Sequence, residues 1–119
     1  MPRLLRPADP AAVDAALDAR TRAAATPADL RLLVKHFLAL LQDRAPGRSV
    51  EVRVPPYAAV QCIEGVRHTR GTPPAVVELD AETWLALALG ETGWAAALGS
   101  GRVHASGERA DLAPHLPLS

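Results

Sequence analysis

The chain has 119 residues, a formal net charge of zero and only 3% aromatic residues. A chain of this length forms one domain that buries roughly two thirds of its unfolded surface. Balanced charge provides no field that attracts nucleic acid or an anionic membrane, and the few aromatic side chains exclude the base-stacking platform of a single-strand binder, so we expect no nucleic-acid partner.

The chain has a single cysteine, Cys62, so a disulfide within the chain is impossible, which suits a reducing cytosol. The first residues carry charge but no apolar run follows them, which does not match a signal peptide. The longest apolar runs, such as Trp84 to Leu89, are far shorter than the roughly 20 residues of a membrane span. We expect a soluble, cytoplasmic protein with no integral membrane segment.

Two helices are predicted at the N-terminal end. Asp9 and Pro10 combine a capping residue with proline at the first helical position, and they predict a helix that runs to about residue 25. Few large apolar residues follow, so we expect this helix to pack weakly. The pair Thr26-Pro27 repeats the start signal, and from residue 27 to about 44 apolar side chains recur on one helix face. Those side chains are Leu30, Leu33, Val34, Phe37, Leu38 and Leu41.

After the second helix the hydrophobic period changes to that of a strand. Residues 49–54 alternate polar and apolar side chains, as a strand with one solvated face does. Residues 57–64 are a second strand candidate, but its composition does not show which side faces the core. Residues 75–79 and 102–106 are the third and fourth candidates, and part of the loop at 65–74 could add a short fifth strand.

Short helices are predicted around the last two strands. Asp80 is a suitable N-cap for an apolar helix that includes Trp84 to Leu89, and a second short helix is expected at about 93–98. A further helix is expected from Asp111 towards Leu116.

This order of elements predicts an α+β fold, in which a twisted, mainly antiparallel sheet of four or five strands is covered on one face by helices. We expect residues 1–119 to form a single domain. Its N-terminal helical pair lies at about 9–44, and the sheet with its inserted helices lies at about 48–119.

Residues that carry enzymatic or metal chemistry are present, but not in the patterns that this chemistry needs. The four histidines are scattered, without the spacing of metal ligands. Gly99-Ser100-Gly101 ends a helix and leads into a strand, which is the reverse of a nucleophile elbow or a dinucleotide loop. No base adjoins Cys62 in sequence, so a small buried residue is favoured over an activated thiol. We expect no catalytic residue, no metal and no cofactor.

The loop from Gly65 to Pro74 has two arginines and a histidine between glycine and a double proline. The guanidinium and imidazole groups of Arg67, His68 and Arg70 could hold a carboxylate or phosphate through charge-assisted hydrogen bonds. The alternative is an ordinary solvated turn, because such loops are commonly polar and exposed. Both interpretations stay open, and both predict a loop on the surface.

Two longer strings resemble a known family. The string V-V-E-L-D-A-E-T-W-L-A-L-A-L-G, followed by A-A-A-L-G-S-G-R-V-H-A-S-G-E, resembles the C-terminal half of sterol carrier protein domains over about Val76 to Leu116. In that family a strand ends in an acidic cap, and a short helix with a W/F-L-A-L pattern follows. The string V-P-P-Y-A-A-V-Q-C-I-E-G-V-R-H-T-R-G-T-P-P is similar to the small stand-alone sterol-carrier-like proteins of actinobacteria.

The resemblance implies a five-stranded sheet covered by helices, with an apolar tunnel between the two layers that accepts lipids or fatty acyl groups. By position, six helix residues would form one wall and two strand residues the other. The helix residues are Trp84, Leu85, Leu87, Ala88, Trp94 and Leu98, and the strand residues are Val60 and Val76.

Two functions follow as hypotheses. The first is a non-enzymatic carrier or binding domain that shelters a lipid or another apolar small molecule in an internal cavity. The second is a protein-interaction module with a filled core and no ligand, which uses an apolar surface to form a homodimer or to dock another protein.

Overall fold

The computed structural model describes residues 4–65, 74–107 and 110–119. Within these residues, four α-helices, four strands and one turn of 3-10 helix follow one another. They are α1 (Pro10–Thr21), α2 (Pro27–Arg44), β1 (Val50–Val54), β2 (Ala58–Cys62), β3 (Ala75–Leu79), α3 (Ala81–Ala88), α4 (Trp94–Gly99), β4 (Val103–Ser106) and the 3-10 turn (Ala113–His115).

The four strands form one open sheet in the order β2-β1-β3-β4. The β1–β2 and β3–β4 pairs are antiparallel, whereas β1 and β3 are parallel. The sheet is therefore mixed, since two of its three strand pairs are antiparallel. The predicted α+β class is confirmed. The proposed fifth strand lies largely in residues 66–73, which are outside the described residues.

The register of the sheet decides which side of β2 faces the core. Val52 pairs with Val60 and Val50 pairs with Cys62, and paired residues share a face. All four side chains are buried. The apolar alternation of β1 thus selects the Val60 and Cys62 side of β2, a choice that the sequence of β2 alone did not make.

The long helix α2 is the main cover of the sheet. A capping box starts it: the Thr26 side chain accepts from the Asp29 backbone N–H, and the Asp29 carboxylate accepts from the Thr26 backbone N–H. Of the predicted face, only Leu30 is not fully buried. The other five, together with Ala39, belong to the core.

Two predicted helices are shorter in the structure. Helix α1 ends at Thr21 rather than near residue 25, and Ala23 then takes a left-handed conformation with φ of 56°. Asp9 is the N-cap residue and Pro10 the first helical residue, as predicted, but the Asp9 side chain makes no capping hydrogen bond. The expected helix from Asp111 towards Leu116 is a single 3-10 turn. Pro114 within that turn offers no N–H, so it does not support a longer hydrogen-bonded run.

Two hydrogen bonds attach the segment before α1 to α2, and the acceptor in one of them, His36, can be protonated. The Ala8 N–H donates to Nδ1 of His36 over 3.0 Å, and the Leu5 N–H donates to Oε1 of Gln42 over 3.1 Å. Burial lowers the pKa of His36 below its usual 6.5, because desolvation disfavours the charged imidazolium. Protonation would also replace the acceptor lone pair of Nδ1 with a donor.

Stability should therefore fall as the pH drops below about 6.5, since the unfolded chain then binds the proton more readily than the folded one. In His36→Asn, Oδ1 replaces Nδ1 as an acceptor that does not titrate, and the pH dependence should be flatter between pH 7 and 5. Urea midpoints across that range measure this effect. The exposed His104 provides the control, His104→Asn. Equal pH slopes for His36→Asn and the unmodified protein would contradict the assignment.

Candidate binding site

The predicted helix wall is mostly part of the packed core. Asp80 caps α3 by accepting from the Thr83 backbone N–H over 2.7 Å. The four predicted wall residues of α3 are at most 1% exposed, and Trp94 at the start of α4 is 8% exposed. Leu98, by contrast, is 38% exposed and lies away from this group.

The central member, Trp84, is held by α2. Its indole Nε1 donates to the backbone carbonyl of Val34 over 3.3 Å, in a fully buried contact. Val34 and Leu38 are likewise completely buried. The protein's own side chains therefore occupy the space between α2 and α3 around Trp84.

The two predicted strand residues lie on opposite faces of the sheet. Val60 is on the inner face with Val52 and is 5% exposed. Val76 pairs with Glu51 and Ser106, whereas its fully buried neighbour Val77 pairs with Val52. Because successive strand residues alternate between faces, Val76 lies on the opposite face of the sheet from Val77.

An open cleft of about 460 Å³ lies beside β4, where Val76 and Leu98 are both in its wall. The remaining lining residues are Glu78, Val103, His104, Ala105 and Ser106. Two residues assigned to the inner wall by resemblance thus meet at the outside of the sheet instead.

Two other predicted wall residues meet in a different cleft. Leu87 and Trp94 line a half-open cleft of about 460 Å³ with the loop between α3 and α4 and the C-terminal segment. We call it the C-terminal cleft. Its lining is completed by Gly90, Glu91, Thr92, Gly93, Ala113, Leu116 and Pro117.

One side of the C-terminal cleft is built by the last residues of the chain. The backbone N–H groups of Leu118 and Ser119 both donate to the Ala88 carbonyl at the end of α3, over 2.8 and 3.2 Å. Arg44 at the end of α2 donates to the carbonyls of His115 and Pro117, over 3.1 and 2.6 Å. The side chain of Leu118 is buried. These hydrogen bonds hold residues 115–119 against the C-terminal end of α3.

Arg20 of α1 fixes the opposite side. It donates to both carboxylate oxygens of Glu91 over 2.8 and 2.7 Å, and to Glu82 over 3.3 Å. The hydrogen bond from Arg20 lowers the pKa of Glu91 below its usual 4.5. The cleft therefore has apolar side chains from Leu87, Trp94 and the C-terminal segment, with an ionised carboxylate at its rim.

Sequence reasoning missed this arrangement. The resemblance identifies Leu87 and Trp94 as wall residues, whereas Leu116 and Pro117 enter the lining only in the structure. Pro114 and Pro117 did signal an interruption of helical structure. Nothing in the local sequence showed that the segment returns to Ala88.

The loop residues Arg67, His68 and Arg70 lie outside the described residues. Their contact with an anion stays a prediction.

Alternatives involving thiol or metal chemistry gain no support from the described part. Burial raises the pKa of Cys62 to about 11, so its thiol is protonated at neutral pH and is not an activated nucleophile. Within residues 4–65, 74–107 and 110–119, no three histidine, cysteine or acidic side chains lie close enough together to hold a metal ion.

The described residues thus form a mixed open sheet with a helical cover, and a half-open cleft lies at the end of α3. Residues 26–118 match the model of a family described as bacterial SCP ortholog, and the chain belongs to that family. The match begins at the N-cap of α2, so α1 precedes it. No protein with a curated description matches the chain. Among the described residues, no helix has both the length and the apolar character needed to cross a membrane.

Proposed function

We propose that the protein is a non-enzymatic binding domain that holds the apolar part of a lipid or similar small molecule in the C-terminal cleft. The observation that carries this proposal is that Leu87, Trp94 and Leu116 line one half-open space of about 460 Å³. That volume falls within the roughly 300–1,000 Å³ of small-molecule sites. The proposed site is a cleft at the end of α3, rather than a cavity beneath Trp84.

The lining of the cleft favours binding over catalysis. Among the described residues that line it, Glu91 is the acidic one, and both of its oxygens accept hydrogen bonds from Arg20. Thr92 is the one with a hydroxyl group in that lining as described, and Arg102 donates to this hydroxyl over 3.4 Å. The hydrogen bond from Arg20 lowers the pKa of Glu91 and so makes this carboxylate a weaker general base than an unpaired one.

The free energy of binding would come mainly from removing the methylene groups of the ligand from water, at about 0.8 kcal/mol for each buried group. Full shielding of a ten-carbon chain would gain about 8 kcal/mol, but the half-open cleft shields only part of the chain and association costs at least about 4 kcal/mol, so we expect weak binding. We expect saturable, one-to-one binding of 1-decanol and of decanoate. A fluorescence titration would follow the tryptophans, of which Trp94 lines the cleft.

Two glycines provide a matched pair of variants for this titration. A Cβ atom at Gly93, which lines the cleft, or at Gly99, which does not, would meet no atom within 4 Å. Neither glycine has a positive φ, so a side chain is tolerated at both positions. We expect Gly93→Phe to weaken decanol binding by at least about tenfold, through occupation of the cleft, and Gly99→Phe to change it less than about twofold.

Binding of decanol with equal affinity to both variants would place the ligand elsewhere in the molecule. The absence of decanol and decanoate binding to the unmodified protein, with a one-to-one complex also absent from native mass spectra, would refute the proposed function.

A second candidate is the interaction module, because Trp84, Leu85 and Ala88 are packed into the core and Leu98 is exposed beside Val76. If a homodimer buries the patch formed by Leu98 and Val76, the variant Leu98→Glu should be monomeric. Sedimentation velocity of the two proteins measures this directly. A monomer at all concentrations in the unmodified protein would contradict it.

A further inference from the structure

Arg20 connects three separate parts of the chain through one side chain. It leaves the last turn of α1 and reaches Glu91, in the loop between α3 and α4, through two parallel hydrogen bonds of 2.8 and 2.7 Å. One of its terminal nitrogens also lies 3.3 Å from Glu82 in the first turn of α3. Such a two-pronged pair fixes orientation as well as distance.

The burial of this side chain distinguishes it from an ordinary surface ion pair. The Arg20 side chain is only 15% exposed, whereas those of Glu91 and Glu82 are 50% and 62% exposed. Its Nε atom is buried without a hydrogen-bond partner among the residues that the structure describes. The hydrogen bond with Glu91 also raises the pKa of Arg20 and lowers that of Glu91. The ion pair therefore stabilises the charged forms of both Arg20 and Glu91.

Helix α1 packs on α2, but it buries few apolar side chains. Only Val13 and Ala16 are fully buried in it, and its N-cap residue Asp9 makes no side-chain capping bond. Because α1 contributes so little buried apolar surface, the ion pair is a large part of what connects it to the α3–α4 loop.

The loop that receives Arg20 is short and has a glycine at each end. Gly90 has a positive φ of 78°, and Gly93 precedes α4. Between them, the backbone N–H groups of Glu91 and Thr92 donate to the Ala86 carbonyl over 2.8 and 3.3 Å. Glycines tolerate rotation of the backbone more readily than other residues, so a side-chain contact adds to these two backbone bonds in fixing the residues between the glycines.

We propose that Arg20 is a positioning residue: its ion pair with Glu91 holds the α3–α4 loop against α1 and thereby sets the rates at which a ligand enters and leaves the C-terminal cleft. We call this ion pair the strap. The loop contributes Gly90 to Gly93 to the cleft lining, so a loosened loop means a more mobile wall. This inference rests on the proposed function for its guest, but the strap itself is a property of the free protein and can be measured without one.

The test compares Arg20→Gln with Arg22→Gln. Arg22 lies near the end of the same helix and pairs with Asp18 four residues earlier, with both side chains about two-thirds exposed. In the free protein, the amides of Glu91 and Thr92 should exchange with deuterium about fivefold faster in Arg20→Gln and at an unchanged rate in Arg22→Gln. The release of 1-decanol, followed by stopped-flow fluorescence, should also be about fivefold faster in Arg20→Gln alone.

The salt dependence of decanol release tests the Arg20–Glu91 ion pair independently. Raising sodium chloride from 0.02 to 0.5 M should accelerate decanol release from the unmodified protein and leave Arg20→Gln nearly unchanged, because screening acts on a pair that the variant lacks. Partial restoration of the slow release in Arg20→Lys would support a role of the positive charge.

Each outcome bears on one of the two proposals. Equal amide exchange in the two variants overturns the strap. Faster exchange of the loop with an unchanged rate of decanol release overturns its control of the cleft. If the unmodified protein binds no decanol while Arg20→Gln still loosens the loop, the strap is supported and the proposed function is refuted.

Discussion

Replacement of Trp84 by alanine is expected to lower the free energy of unfolding by about 3–5 kcal/mol. The indole is completely buried and is in contact with α2, where its Nε1 donates to the Val34 carbonyl. Alanine would leave a cavity among the fully buried neighbours Val34, Leu38 and Leu85. A domain of this kind is stable by only about 5–15 kcal/mol, so the loss should be evident in a urea titration.

The variant Trp84→Phe separates packing from hydrogen bonding. It retains most of the aromatic volume and removes the N–H donor, so we expect a smaller loss, of about 1–2 kcal/mol. A cost below about 1 kcal/mol for Trp84→Ala would contradict a packed interior. That result would instead favour the open space beneath the helices that the family resemblance implies, so the experiment also bears on where a guest would bind.

Replacement of Gly47 by alanine is expected to cost about 3 kcal/mol, in spite of the small change in volume. Gly47 lies between α2 and β1 with φ of 151°, a conformation that L-residues rarely adopt. A Cβ atom there would overlap with the carbonyl group of Ile63 and the backbone nitrogen of Glu64. Both neighbours are backbone atoms, so they cannot rotate away as a side chain would.

That backbone is also fixed by its own hydrogen bonds. The Ile63 N–H donates to the Ala45 carbonyl over 2.6 Å, and the Ile63 carbonyl accepts from the Ser49 backbone N–H over 3.0 Å. Movement to admit a methyl group would disturb these bonds. Gly99→Ala is the control, since its Cβ atom has open space and its stability should change by less than about 1 kcal/mol. Equal thermal midpoints for the two variants would show that the α2–β1 turn can relax, contrary to expectation.

Features set by neighbouring residues were predictable from the sequence. The starts of α2 and α3 were found because Thr26 and Asp80 are capping residues, and both make the expected hydrogen bond to the backbone. The buried face of α2 and the alternation in β1 followed from hydrophobic periods of 3.6 and 2 residues. The pair Asp9-Pro10 also marked the start of α1 correctly, although the Asp9 side chain makes no capping hydrogen bond.

The candidate site was predictable only in part. Leu87 and Trp94 were identified by resemblance, and both line the C-terminal cleft. The resemblance assigns Leu98 to the helix wall and Val76 to the strand wall of one tunnel, but both residues line a separate cleft beside β4. Alternation along β3 put either Val76 or Val77 on the inner face, and only the pairing of Val77 with Val52 decided between them.

By itself the sequence determined the class of fold, the start of its main helix and the presence of short apolar helices, because caps and periodicity depend on residues within about one turn or one strand of each other. Only the tertiary structure decided that the interior around Trp84 is filled and that the cleft lies at the end of α3. The contacts that build this cleft join Arg20 to Glu91 and Ala88 to Leu118, residues far apart along the chain. No local pattern encodes such pairs, since they form only when the packed core brings distant segments together.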